Sequence, residues 1–325
     1  MKSNDIHFEE SMFAVEERLK ELRAAIEDAP INLQKDAQLL EKAYEQERNR
    51  FYERLSPWQK VWLARRSERP RGSDYVQALI EDPVPICADR IDGDDPALLT
   101  GVGWFDETPV VYFAQQKGRN TKENIRTSFG MMHPQGYRKA RRLMRFAAKF
   151  NRPILSFVDT PAAHPCAHAE KRGQANAIAE NLFEMSQLPA PFIAVVVGEG
   201  GSGGALGVAM GNAALMLEHA VYCVAPPEAC SGILWKDSGE HAPEAAEGLK
   251  LTANDLKKWK VIDEIIPEPP GGAHRDPQET YRRVQNAVKA RLQELSALTP
   301  DQLIEQRRRR FRQIGVFQEG GEPPD

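Results

Sequence analysis

An unbroken apolar run, Phe192 to Val197, meets five glycines in the next seven residues: Gly198, Gly200, Gly201, Gly203 and Gly204. A short helix-competent segment follows, Ala205 to Met210. The run reads as a buried strand, the glycines as a turn with almost no Cβ atoms, and the last segment as the first turn of a helix. Unpaired backbone N–H groups at such a junction can approach an oxygen anion closely. That anion is either a phosphate or an oxyanion formed during a reaction.

The rest of the chain places this junction in a sheet. Apolar β-like runs occur at Val110–Ala114, Ile154–Val158, Phe192–Val197 and Ala213–Leu217, the last extending toward Tyr222–Val224. Helical patterns alternate with them at 134–150, 170–188 and 203–211. Strand followed by helix, repeated, predicts an α/β fold with largely parallel strands. Before it, residues 7 to 66 read as helical, with Phe8, Met12, Val15, Leu19, Leu22 and Ile26 recurring every three or four residues and Pro30 as a break. An antiparallel pair packed on the chain's own core is favoured over a docking element for a partner. Residues 276–313 read as one or two charged helices, and the tail from Glu319 as disordered. The divisions expected are a helical region at 1–70, a core at 71–270 and a C-terminal extension at 271–325.

Composition excludes several classes. No apolar run approaches the roughly 18 residues that span a bilayer, and the first ten residues carry no apolar leader segment. A formal net charge of -4 points to no polyanionic partner. Cys87, Cys166, Cys223 and Cys230 lie far apart without a C-x-x-C pair, which suits a reducing cytoplasm.

Three segments are candidate sites. Gly198–Gly203 matches the dinucleotide pattern G-x-G-x-x-G, with Glu218 at a plausible distance for a ribose contact. The glycine run continues to Gly204, however, and the helix after it is too short for a usual crossover. Tight helix-on-strand packing remains open, and an oxyanion-binding turn is favoured. The second segment is Asp159-Thr-Pro-Ala-Ala-His-Pro-Cys-Ala-His168, stiffened by Pro161 and Pro165. His164, Cys166 and His168 alternate, but this is not a usual zinc spacing and no other Cys/His pair supports it, so no metal is expected. A Cys/His nucleophile pair lacks an orienting third group. The loop's value is expected to lie in its backbone N–H groups. The third segment, Lys117 to Lys149, carries ten basic residues against Glu123 alone. On its helix Tyr137, Ala140, Met144 and Ala147 form one face and the cations another. A solvated face and a dock for an anionic cofactor or acidic carrier protein both fit. Thin aromatic interleaving argues against nucleic acid.

Taken together, Gln116–Arg126, Phe129-Gly-Met, Gly136-Tyr-Arg-Lys-Ala, Asp159-Thr-Pro, Glu170-Lys-Arg-Gly-Gln, Gly198–Leu206, Ile233-Leu-Trp-Lys-Asp and Ile266–His274 resemble the carboxyltransferase α subunit of bacterial-type acetyl-CoA carboxylase. The resemblance covers nearly the whole chain. It implies a crotonase-like spiral of ββα units with N- and C-terminal helical extensions. It implies transfer of a carboxyl group from carboxybiotin on a carrier protein to acetyl-CoA, giving malonyl-CoA for fatty-acid synthesis, with no covalently bound cofactor. The implied partners are a β subunit bearing a zinc ribbon, in an α2β2 assembly, together with biotin carboxyl carrier protein and the ATP-binding biotin carboxylase. Two oxyanions form in this reaction, the ureido oxygen of biotin and the thioester enolate, and each needs preorganised donors. The expected donors are the backbone N–H groups of Gly203, Gly204 and Ala205, with those of Cys166 and Ala167. Gly200, Gly201, Ala162, Ala163 and His164 are expected to bind biotin. Lys117, Arg119, Arg138 and Arg142 are expected to contact an anionic cofactor or the carrier.

The chain departs from the family at the second loop. Ala162, His164, Cys166 and His168 stand where D-T-P-G-A-Y-P-G and its continuation have Gly, Tyr, Gly and a small residue. Ile86-Cys-Ala-Asp-Arg90 replaces a typical L-H-G-D-R. If any position of the 162–168 loop requires φ > 0, a Cβ there costs about 1–2 kcal/mol or reshapes the loop. A catalytically altered paralogue that still assembles with a β-type partner is the alternative reading, and an anion-binding module built on the basic helix is a third.

Overall fold

The computed structural model describes residues 8–26 and 31–315. The break at Pro30 and the tail from Glu319 lie outside the described residues.

One mixed sheet organises the chain. β1 (Glu81–Pro85), β2 (Leu98–Phe105) and β3 (Thr108–Gln115) form an antiparallel edge. β4 (Ile154–Thr160), β5 (Phe192–Gly201), β6 (Ala213–Leu217) and β8 (Glu264–Ile266) continue from β3 in parallel. β4 and β5 are buried along their whole length, as unbroken apolar runs require in a parallel sheet covered on both faces. β5 outruns the sheet. Its first half pairs with β6, and Glu199–Gly201 pair instead with β7 (Val221–Cys223). β4 still flanks it there, with Thr160 opposite Gly200, so the end of β5 exchanges one neighbour and carries the glycines past β6.

Several sequence expectations are corrected here. The glycines do not start a turn at Gly198, because the strand runs on through Gly201. The helix after it, α9, spans only Ser202–Leu206. The expected helix at 170–188 is two, α7 (Ala167–Lys171) and α8 (Gln174–Ser186), broken where Gly173 takes φ 81. β6 and β7 are separate strands, since the chain turns back between Leu217 and Val221. The parallel centre and the strand–helix alternation are as expected.

The flanking helices follow their apolar spacing. α6 (Pro134–Phe150) starts with proline at its first turn, ends at left-handed Asn151, and buries Tyr137, Ala140, Leu143, Met144 and Ala147 on the sheet. α13 (Pro277–Ser296) and α14 (Pro300–Arg312) send Val284, Val288, Leu292, Leu295 and Leu303 into the same core as β5 and β6. At the N-terminal end α1 (Glu10–Ile26) and α2 (Ile31–Glu53) form an antiparallel pair, with Arg23 bound to Glu41 and Tyr44 reaching the Met12 carbonyl. The pair is tied to the rest of the chain through Glu9–Arg66 and Glu16–Arg275. α3 (Pro57–Arg65) opens with a Ser56/Gln59 capping box and packs Trp58, Val61 and Ala64 against Val221. α4 (Gly72–Leu79) leads into β1, and α5 (Thr121–Arg126) follows β3. Beyond β7 lie α10 (Pro227–Leu234), α11 (Ala242–Leu249) and α12 (Ala253–Lys258). No described helix is long and apolar enough to cross a membrane.

Candidate active site

The carboxyl ends of adjacent parallel strands are where α/β sheets hold ligands. Here those ends belong to β4 and β5, with Thr160 beside Gly200 in the register. The two glycine-rich and proline-rich segments therefore meet. A Cβ on Gly201 would overlap the Pro161 carbonyl, and one on Gly204 would overlap the backbone of Ala162 and Ala163. These glycines let the α9 turn lie directly against the 161–163 loop. Gly203 differs, because its missing Cβ would meet only the flexible tip of Ile178 at 3.3 Å. Ser202 sits at the junction with φ 48 and is exposed, so the chain bends sharply there and opens the start of α9 outward. No side chain caps that start. Its first N–H groups, at Ser202, Gly203 and Gly204, therefore lack intrahelical partners. Gly200 and Gly201 are buried, Gly200 under the Tyr222 ring, so they shape the cleft from beneath.

The 161–168 loop carries no left-handed residue. Ala162, His164, Cys166 and His168 are absent from the residues with positive φ. The glycines replaced there impose no backbone penalty on this chain. Thr160 Oγ1 donates to the Ala162 carbonyl (2.8 Å), and His164 N–H to the Met132 carbonyl (3.1 Å). Gln174 Nε2 donates to the Met132 and His164 carbonyls at 2.8 and 3.3 Å. Cys166 is the N-cap of α7, its sulfur accepting from Ala169 N–H at 3.3 Å.

Beneath the cleft lies a buried charge network that the sequence reading missed. Lys117 Nζ stands 2.7 Å from Asp159 Oδ1 and 2.5 Å from Glu199 Oε2. Arg65 Nε donates to Glu199 Oε1 at 2.7 Å, and its guanidinium also pairs with Glu228. Glu199 N–H donates to Asp159 Oδ1 (3.0 Å). Gln115, fully buried, accepts from Asp159 N–H at 3.0 Å and donates to the Gly204 carbonyl at 2.8 Å. It thus bolts β4 to the α9 turn. Burial alone would raise the Glu199 carboxyl, but Lys117 and Arg65 overcome it and hold the group at about 2. Partners this far apart in the chain leave no local signature.

Half of the basic stretch is spent inside the protein, while Arg119, Lys122, Arg126, Arg145 and Lys149 are exposed. Arg138 binds Asp89 (2.7 Å) and Asp92 (2.6 Å), and Arg142 caps the Cys87 and Ala88 carbonyls at 2.8 Å each. Lys139 is buried against Asp94 and the Asp95 and Leu98 carbonyls. Arg119 pairs with Asp74 at 2.5 Å, half-exposed. Neither a solvated face nor a free dock describes Lys117, Arg138 or Arg142. Arg138 and Arg142 instead hold the divergent 86–90 segment. A groove of about 870 Å³ opens elsewhere, over the antiparallel edge, lined by Tyr112, Leu99, Gln116, Arg119 and Arg126. It includes neither the glycine turn nor the 161–168 loop.

The loop also meets a metal-competent side chain that its own spacing does not reveal. His133, at the start of α6, joins His164 and Cys166, and one ligand atom from each lies within 4.8 Å of the others. His168 is exposed and outside that group.

Known proteins resemble this chain in sequence and in fold. A sequence profile described as Acetyl co-enzyme A carboxylase carboxyltransferase-like matches residues 5–315. The chain is 47% identical over 314 residues to the acetyl-coenzyme A carboxylase carboxyl transferase subunit alpha of a Thermus thermophilus strain, spanning 97% of this chain and 99% of that one. It is 47% identical over 317 residues to the subunit of the same name from Synechococcus elongatus, spanning 98% and 97%. Among solved structures, a chain of a Pseudomonas malonate decarboxylase hetero-tetramer in complex with coenzyme A superposes with a TM-score of 0.58 at 18% identity, over 73% of this chain and 92% of that one. A chain of transcarboxylase 12S gives 0.54 at 19% identity, over 68% and 41%. At such identities the likeness speaks for the fold, and it bears out the crotonase-like expectation. Matched by one family profile and by relatives along almost its whole length, the chain belongs to the acetyl-coenzyme A carboxylase carboxyltransferase family.

Proposed function

We propose that this chain is the α half of an acetyl-CoA carboxylase carboxyltransferase, and that its cleft between α9 and the 161–163 loop receives carboxybiotin. The family makes the chain a carboxyltransferase subunit, a transferase. Its own contribution is electrostatic. The N–H groups of Gly203 and Gly204, free at the start of α9, stabilise negative charge on the ureido oxygen as the carboxyl group leaves, while Ala205 lies past the orphan set. The loop forms the opposite wall and limits access of water. The acceptor acetyl-CoA sits mainly on the β subunit, and the product is malonyl-CoA. The observation that carries this reading is the uncapped start of α9, seated against the loop at the ends of two parallel strands.

An apolar patch beside the cleft supports the β partner. Val224 just after β7, Ile233 and Leu234 at the end of α10, and Trp235 directly after it are exposed by 73, 72, 65 and 41%. The Arg65–Glu228 pair ties α10 to Glu199, two residues before Gly201. A patch this apolar at a site rim suits a stable subunit contact. An α2β2 complex in the cytoplasm, served by a biotinylated carrier, follows from this reading. Because the loop needs no left-handed residue, the catalytically competent reading is preferred over the altered paralogue.

The test is carboxyl transfer from carboxybiotin to acetyl-CoA by the chain alone and co-purified with its β subunit. Activity is expected only in the complex. Full activity of the isolated chain, or none in a well-formed complex, would overturn the proposal.

A further inference from the structure

We propose that His133, His164 and Cys166 form a binding site for one zinc-class divalent ion, which staples the 161–168 loop to the start of α6. The inference needs only the fold and does not depend on carboxyl transfer.

Three segments converge to build the site. His133 is the last residue before α6, and its backbone N–H is held by the buried carboxylate of Asp95 at 2.8 Å. His164 comes from the loop, and its N–H is bound to the carbonyl of Met132, the neighbour of His133. The two imidazoles stack with centroids 4.1 Å apart and planes 20° from parallel, so one ring must turn out of the stack before both in-plane nitrogen lone pairs can reach a single ion. Cys166 closes the third side, held in place as the α7 cap. One nitrogen from each histidine and the sulfur lie within 4.8 Å of one another. Around tetrahedral zinc such atoms stand about 3.3–3.6 Å apart, so closing the set takes an approach of about 1 Å together with rotation of one imidazole out of the stack.

A second observation points to a ligand. His164 Nδ1 is enclosed by protein and makes no hydrogen bond. A buried imidazole nitrogen without a partner is costly unless something binds it. His133 Nε2 has only Ser128 Oγ, at 3.2 Å. Two imidazoles and one thiolate select zinc, copper or cobalt over magnesium or calcium, which take oxygen ligands. Three protein ligands leave a fourth position open to water or an anion. On binding, the Cys166 S–H bond breaks, the metal–sulfur bond forms and the proton passes to solvent.

The experiment is a cobalt(II) titration of the full chain after chelator treatment and reduction. One equivalent is expected to bind with thiolate-to-cobalt charge-transfer absorption, and zinc is expected to displace it. Cys166→Ser should abolish that absorption. Serine is a favoured N-cap, so this variant keeps α7 and the fold, as circular dichroism will verify. His164→Ala and His133→Asn should each weaken binding by about 100-fold or more, because even outer-shell changes cost 10–100-fold. His241→Ala, outside the cluster, should leave the titration unchanged. Substoichiometric binding by the parent chain, or an unaltered spectrum in Cys166→Ser, would overturn the site.

Discussion

Gly201 and Gly203 stand two residues apart with opposite surroundings, so they separate packing from chemistry. A methyl on Gly201 would meet the Pro161 backbone, which cannot move without carrying the loop with it. Gly201→Ala should destabilise the chain by about 1–3 kcal/mol. It should also cut transfer about 10²-fold, the usual cost of a 1 Å misplacement at a reacting centre. Gly203→Ala faces only the tip of Ile178 and should keep the parent melting temperature. Equal melting temperatures for the two variants would refute this division. The divergent loop allows a second test. Ala162 and Cys166 occupy ordinary backbone regions, so Ala162→Gly with Cys166→Gly adds freedom to the unfolded chain and removes no strain. Thermal unfolding should show a loss of about 1–2 kcal/mol, and turnover in the α–β complex should not rise. A gain in turnover would mean that the side chains obstruct biotin. At this scale the glycine run and the loop were legible in the sequence, because proline and glycine act locally. Gln115, Lys117 and Glu199 were not, because their partners lie 44 to 89 residues away and only the fold brings them together.

Among the elements, legibility followed burial. β4 and β5 announced themselves because both faces are covered and nearly every residue is apolar. β1 is exposed throughout and contains two prolines, and β2 is interrupted by Gly101 and Gly103, so neither presents a periodic signal. β8 is three residues long and exists only because β6 offers it an edge. The basic face of α6 misled in a different way. Its cations are ordinary by spacing, but their acidic partners at Asp89, Asp92 and Asp94 belong to a loop that the sequence does not fold back on its own. α10 supports a prediction of its own. It spends its apolar side chains on solvent, and Leu234→Asp should leave the stability of the isolated chain within about 0.5 kcal/mol of the parent. The same change, in the apolar patch at the rim, should weaken β-subunit binding at least tenfold in a titration or by size-exclusion analysis. Unchanged complex formation would move the interface elsewhere.

Across the whole molecule the buried charges fix how the fold meets acid. Glu268 lies between Arg69 and the N–H groups of His219 and Ala273, joining the α3–α4 link, the β6–β7 turn and the segment between β8 and α13. Burial works to raise its carboxyl, but Arg69 outweighs it and holds the group at about 2, as Lys117 and Arg65 do for Glu199. A carboxyl with a depressed folded pKa stabilises the fold above its unfolded pKa, near 4.5, and loses that contribution as pH falls toward 2. His274 acts at higher pH with the same sign. Burial first, then Arg69, Arg66 and Arg275, push its imidazole down to about 4, against the attraction of Glu268, and both ring nitrogens are enclosed without hydrogen bonds. Its neutral form is what the fold accepts. Stability from His274 is therefore complete above about 6.5 and drains away as pH falls through 4, by up to ~3 kcal/mol. Over the same range the buried Asp95 carboxyl, raised by burial to about 6, gains stability as it protonates and opposes the imidazole. The His274 loss is therefore read as the difference between the parent and a His274 variant, and the paired carboxylates lose their contribution below 4.5. Replacing the imidazole by an amide that cannot take up a proton separates the two steps. Subtracting the His274→Gln profile from that of the parent should leave a loss between pH 6.5 and 4, with the lower step unchanged in the variant, whereas Glu199→Gln should reduce only the lower one. A difference between parent and variant that stays constant from pH 6.5 to 4 would show that the His274 pocket admits the charged ring, contrary to the three guanidinium groups that face it.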